Sequence, residues 1–159
     1  MEHGGWLFQS HLAAKKEFEA LKLVYSHGVA VPKPISQNRH VIIMGIIEGF
    51  ELAKWKEIPH PGRVLLEILR NVKKAYLKAS VIHGDLSEYN IILKPNMHML
   101  IIDWPQFVSV DHPNAEQLLM RDIRNVLKYF SRRYKVKLKI TDAYEYVTGK
   151  VRTITTMVE

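Results

Sequence analysis

The stretch that most limits what this chain can become is VIHGDLSEYNIILKPNMHMLIIDW, residues 81–104, which sets Asp85, Asn90 and Asp103 among some of the most apolar residues present. An acid in an apolar setting is expensive unless partners or a ligand offset its desolvation. Pro95 and Asn96 in KPNMHM are turn residues, so the apolar runs on either side are expected to form a hairpin. Pairing Ile91–Leu93 with Leu100–Ile102 sets Asn90 opposite Asp103 at the open end. An amide oxygen and a carboxylate there suit Mg²⁺, a hard ion that takes one or two carboxylates and completes its octahedron with water and phosphate oxygens. Asp85, five residues before Asn90, enters the same mouth and is placed to accept a proton from, or to orient, an attacking hydroxyl or water. Taken singly, each of these residues also reads as a turn or strand terminator. Together they fit phosphoryl transfer, in which metal, base and positioning carry the chemistry.

The remaining pattern is mixed. Ser10 is expected to cap a first helix over about residues 11–27 that Gly28 ends. The proline-containing VAVPKPISQNR breaks regular structure, and the continuous apolar run HVIIMGII suits a buried strand. A second helix over 62–79 carries the stripe Val64, Leu65, Ile68, Leu69, Val72, Ala75, Tyr76 and Ala79. A third, entered through Pro113 and Asn114, turns Ala115, Leu118, Leu119, Ile123, Val126, Leu127 and Phe130 inward. Asp142 and Glu145 have capping-box spacing for a short last helix near Gly149. The order predicts an α+β chain, a small α+β piece joined near residues 48–60 to a mostly helical part.

Two acids interrupt helical apolar stripes. Glu17 shares a face with Ala13, Leu21 and Val24, so it either points inward and needs a partner or reaches out to water at the stripe edge. Asp122 lies between Leu118, Leu119, Ile123 and Val126. It either accepts backbone N–H groups of the His83–Asp85 loop or pairs with Arg121 or Arg124.

Composition narrows the chemistry. The chain has 159 residues, enough for one domain or two small lobes, and no cysteine, which removes disulfides, thiolate metal sites and a cysteine nucleophile and makes the cytoplasm the expected compartment. A net charge of +7 favours polyanionic partners. The clusters SRRYKVKLK and GKVR read either as nucleic-acid contacts or as solvated lysines and arginines. The eight histidines show no HExxH or paired spacing of a zinc site. No apolar run is long enough to span a membrane, and MEHGGW lacks the features of a signal peptide.

HGDLSEYNIIL with IIDW resembles the protein-kinase-like superfamily. The finer words AAKKEFEALKLVYSHGVAVPKPISQNRHVIIMGIIEG, IDWPQ and HPNAEQLLMRDI resemble the RIO atypical kinases, specifically the second branch, over about residues 6–134. The resemblance implies a protein-kinase-like RIO fold with an incomplete N-lobe over 1–48 and a mostly helical C-lobe over 49–159. It implies an ATP-dependent serine kinase or ATPase using Mg²⁺, or Mn²⁺ in its place, that acts on itself and in maturation of the small ribosomal subunit. The expected partners are therefore ATP and the pre-small subunit with its rRNA and ribosomal proteins, met by a monomer away from any membrane. Asp85 becomes the catalytic-loop acid, Asn90 and Asp103 the metal ligands, Asp103 also a transient phosphoryl acceptor, and Glu17 the helix glutamate that pairs with a phosphate-binding lysine. Met44 guards the adenine pocket, and Gly45, Ile46, Ile47 and Glu48 form the hinge. No glycine-rich loop or lysine-bearing strand precedes Glu17, so the chain is expected to be an N-terminally truncated form. Rival expectations are a small-molecule phosphotransferase of the aminoglycoside or choline kinase kind, and a non-catalytic module that binds ribosomal RNA or protein.

Overall fold

The computed structural model describes residues 2–158. Helix α1 (Glu2–Ser26) is followed by strands β1 (Pro34–Asn38) and β2 (Val41–Met44), then β3 (Phe50–Glu51) and a single 3₁₀ turn (Leu52–Lys54). Next come α2 (Pro61–Leu77), β4 (Val81–Ile82), β5 (Ile91–Leu93), β6 (Met99–Ile101) and β7 (Val108–Ser109). The chain continues through α3 (Ala115–Tyr134), β8 (Val136–Lys137), α4 (Ile140–Val147) and β9 (Met157–Val158). Helix and sheet are thus mixed, and every strand pair is antiparallel.

The amphipathic helices form where their apolar period demands. In α2 the buried side chains include Val64, Leu65, Ile68, Leu69, Val72 and Ala75, and in α3 Ala115, Leu119, Ile123, Val126 and Phe130. Pro61 opens α2 at the position where a missing N–H costs nothing. One contiguous apolar cluster runs from Ala20, Leu21 and Val24 of α1 through these helices to Ala143 and Val147 of α4. It also takes in Ile91, Leu93, Met99 and Ile101 of the central hairpin.

Four local expectations fail for identifiable reasons. Helix α1 starts before Ser10, which lies inside it and is not its cap. VPKPISQN is not wholly irregular, because Pro34 begins an edge strand, where its missing N–H faces no partner, and β1 pairs with β2. That pairing leaves Val41 and Ile43 of the apolar run exposed, not buried, because a two-stranded ribbon covers only one of its faces. Helix α4 has Lys139 as its N-cap, so Asp142 lies within its first turn and the Asp142/Glu145 capping box does not form.

The hairpin forms, one residue out of the expected register. Ile91 pairs with Ile101, Ile92 with Leu100 and Leu93 with Met99. Asn90 therefore faces Ile102, whose N–H donates to the Asn90 carbonyl at 2.9 Å, and Asp103 lies one residue further on. The turn decides this. Lys94 N–H donates to His98 O at 2.8 Å and Met97 N–H to Lys94 O at 2.9 Å, enclosing a three-residue loop centred on Asn96. Met97 takes the left-handed conformation such a loop needs, with φ 67°. An even-membered reversal would have given the symmetric pairing; the odd-membered one shifts it by one.

Candidate active site

The loop between β4 and β5 is fastened from beneath by one buried carboxylate. Asp122, 1% exposed on α3, accepts the N–H of Gly84 at 2.8 Å and that of Leu86 at 3.0 Å. Of the two roles open to Asp122 in the sequence, the structure takes the loop-holding one. Its neighbour Arg121 donates to the Gly84 carbonyl, and Asn125 Nδ2 donates to the Leu86 carbonyl at 3.3 Å, so three residues of one helix grip the loop. Burial pushes the Asp122 carboxyl above its ordinary pKa, and its two N–H donors, His83 and Arg121 oppose that rise.

Gly84 is required at its position for two reasons. Its φ is +87°, and a Cβ there would stand 2.3 Å from the Gln106 carbonyl oxygen. Any side chain would push apart the loop and the segment after the hairpin.

His83 joins the same two segments. Its Nδ1 accepts the Asp85 N–H at 3.2 Å, which leaves Nε2 to carry the proton and donate to the Ile102 carbonyl at 2.8 Å. The ring packs against Trp104 with centroids 4.7 Å apart, and Trp104 Nε1 donates to Ile101 O at 3.1 Å. Burial holds the imidazole below its ordinary pKa. Asp85, Asp103 and Asp122 all act on its charge, so both exposed site carboxylates border one ring.

Asp85 and Asp103 are exposed, and neither side chain has a hydrogen bond or ion pair among the described residues. Asp103 has a left-handed backbone, φ 59°, which redirects the chain just after the hairpin. Asn90 is 6% exposed. Its Oδ1 accepts the Ser87 N–H at 2.8 Å and its Nδ2 donates to the Asp85 carbonyl, so it also closes the loop on itself. Among the described residues no cluster of three or more His, Cys, Asp or Glu could hold a metal unaided. Asn90 Oδ1 and the Asp103 carboxylate are the kinds of oxygen donor that Mg²⁺ takes beside water and phosphate.

Glu17 reaches this site from α1, 87 residues away in the chain. Its Oε1 accepts the Trp104 N–H at 3.2 Å. It is half-buried, and burial raises its pKa, with the Trp104 N–H opposing and Asp103 adding to the rise. The inward orientation is realised, with a backbone donor as partner.

The expected hinge follows directly on β2. Met44 ends β2 across from Pro34, and Gly45 N–H donates to Lys33 O at 2.8 Å. Ile46 is 95% exposed, Ile47 half-buried and Glu48 exposed. The backbone groups of residues 46–48 make no hydrogen bond among the described residues and belong to no helix or strand. The sequence reading brought together Asp85, Asn90, Asp103 and Glu17 but missed three struts. These are the two-sided role of His83, the grip of Arg121 on Gly84, and Asn71 of α2, whose Oδ1 accepts the Ala30 N–H at 2.7 Å. Asn71 interrupts an apolar stripe just as Asp122 does, and that signal would have found it.

The chain matches the family model of the RIO domain over residues 1–143. The RIO-type serine/threonine-protein kinase Rio2 of Methanocaldococcus jannaschii is 43% identical over 156 residues, covering 92% of this chain and 57% of that protein. The serine/threonine-protein kinase rio2 of Schizosaccharomyces pombe is 38% identical over 134 residues, covering 84% and 39%. The fold is similar to the crystal structure of the Rio2 kinase–ADP/Mg²⁺–phosphoaspartate complex from Chaetomium thermophilum, with a TM-score of 0.80 at 32% identity over 95% of this chain and 48% of that one. The chain thus spans about half the length of the relatives it matches. With nine-tenths of its residues inside the family match and its loop, hairpin and helices in the same fold, it belongs to the RIO domain family.

Proposed function

We propose that this chain carries the catalytic loop and metal-binding hairpin of an ATP-dependent serine kinase or ATPase of the RIO type. The observation that carries the reading is the division of labour around Asp122. Asp122 holds the Gly84 and Leu86 N–H groups, no described buried side-chain polar atom lacks a partner, and the Asp85 carboxylate is left exposed and unpaired. A general base needs that arrangement: a fixed backbone and a free carboxylate.

Asp85 orients the attacking hydroxyl or water and receives its proton. Asn90 and Asp103 would hold Mg²⁺, with Asn90 kept in place by the Ser87 N–H and the Asp85 carbonyl. Bound Mg²⁺ neutralises charge on the phosphate oxygens. Asp103 also serves as a direct acceptor. One carboxylate oxygen bonds the γ-phosphorus as the bond to ADP breaks, and water then returns the carboxylate and phosphate. The phosphoaspartate complex of the Chaetomium relative supports this role. Glu17 fixes the segment after Asp103 through the Trp104 N–H and presents its second oxygen to a phosphate-binding lysine. Residues 1–48 act as the N-lobe side of the site and 49–159 as the C-lobe side. Met44, Gly45 and the free backbone groups of Ile46–Glu48 receive the adenine. The partner is the maturing small ribosomal subunit in the cytoplasm.

Calorimetric binding of Mg-ATP and release of inorganic phosphate, measured on this chain and on Asp85→Ala and Asp103→Ala, test the reading. Expected is turnover that falls by on the order of 10²-fold or more in each variant. Equal turnover in all three would end it. Phosphate transfer to a small alcohol with none to protein would move the chain to the small-molecule phosphotransferases.

A further inference from the structure

Beside the catalytic loop lies a groove of about 510 Å³ that the reaction as described leaves unused. One wall is the loop itself, Ser87, Glu88 and Tyr89; the other is the outer face of α3, with Lys128, Arg132 and Arg133. Ser87 stands two residues from Asp85, so an extended chain places the groove at most about 7 Å of backbone from the catalytic acid. A polypeptide that presents a hydroxyl to Asp85 therefore has this groove within reach of its neighbouring residues.

The walls state what that portion carries. Lys128 and Arg132 are one helical turn apart on one face of α3, both exposed, and neither has an ion pair among the described residues. Arg133 is directed otherwise, donating to the Lys56 carbonyl at 2.7 Å. Tyr89, 64% exposed, adds an aromatic ring to the loop wall. Two unpaired cations in a concave site focus a positive field that selects an anion. Glu88 on the opposite wall argues for a polypeptide over a nucleic acid. A phosphodiester strand brings a negative charge at every residue and meets Glu88 with repulsion, whereas a peptide places one anion at the cations and turns backbone N–H groups to the carboxylate.

We infer that this groove is an acceptor-selecting subsite: it takes a serine-bearing polypeptide with an acidic or phosphorylated residue close to the acceptor, held by Lys128 and Arg132. The inference rests on the protein-kinase reading for the direction of the acceptor, but its test does not need turnover.

The test is fluorescence anisotropy, without nucleotide, on a labelled twelve-residue peptide with one serine flanked by glutamates. Counterparts carry glutamine or lysine in place of the glutamates, and an oligouridylate of equal length is run beside them. Expected is at least tenfold tighter binding of the glutamate peptide than the glutamine one. Arg132→Glu is expected to remove that preference and raise affinity for the lysine peptide, and Lys128→Glu to act in the same direction. Unchanged thermal melting establishes that each variant is folded, and two exposed positions make the result independent of either one. Equal affinity for the three peptides, or a preference that survives both variants, overturns the inference. So does tight oligouridylate binding lost in Arg132→Glu with indifference among peptides, which marks the groove as a nucleic-acid face. Absence of ATP turnover with the peptide preference intact would instead fail the catalytic reading alone.

Discussion

The loop over residues 83–90 and the ribbon of β1 and β2 are both short, both lack long regular structure, and are held in opposite ways. The loop is gripped by α3 through Asp122, Arg121 and Asn125, by His83 and by Asn90, and no described buried side-chain polar atom is left without a partner. The ribbon has its own ladder and packs against α1, while Ile35, Val41 and Ile43 are exposed. The loop backbone is fixed from within the protein, whereas the ribbon leaves apolar surface exposed. The contrast follows from where the buried polar bonds lie.

Substitutions rank this contrast. The largest loss of stability is expected for Asp122→Ala, which leaves the Gly84 and Leu86 N–H groups without an acceptor inside the protein. At 1–3 kcal/mol for each unsatisfied buried donor, the cost is about 3–4 kcal/mol in urea denaturation. A cost under 1 kcal/mol would mean that the loop has an alternative hold. Gly84→Ala comes next, at about 2–3 kcal/mol, from its positive φ and the collision with Gln106 O. Its urea midpoint is the measurement.

A pH series sharpens the same point. His83 is held neutral, below the pKa of its unfolded state, so the unfolded chain takes up its proton first as the solution is acidified. Its contribution is whole above about pH 6.5 and is lost as pH falls below that, at no more than about 1.4 kcal/mol per pH unit. Glu17 and Asp122, with raised pKa values, act in the opposite sense: the folded state takes up their protons first, which favours folding as pH drops toward their unfolded values. The difference in urea midpoint between pH 7.5 and 5.5 should therefore shrink in His83→Gln. An unchanged difference would assign the acid sensitivity to other groups.

Glu17→Ala removes one half-exposed hydrogen bond to Trp104 N–H and should cost about 1 kcal/mol, whereas Glu17→Gln keeps the acceptor and removes repulsion from Asp103. Thermal melting of the pair should separate them. The smallest effect belongs to the ribbon, where Ile43→Thr should change stability by less than about 0.5 kcal/mol, since its side chain is already half in water. A larger loss would show that the ribbon's outer face is packed in solution.

The sequence alone decided which helices form, because the 3.6-residue apolar period of α2 and α3 is a local property that burial then satisfies. It also brought out Asp85, Asn90, Asp103 and Glu17, since acids set among apolar residues need a reason to be there. It did not decide the register of the hairpin. One residue of loop, with Met97 accepting a left-handed backbone, moved Asn90 opposite Ile102. Nor could it choose between the two roles of Asp122, or foresee that His83 would bridge the Asp85 N–H and the Ile102 carbonyl. Apart from the local Asp85 N–H, those contacts join groups 19 to 38 residues apart, and which donor meets which acceptor across such a distance is settled when helices and hairpin pack.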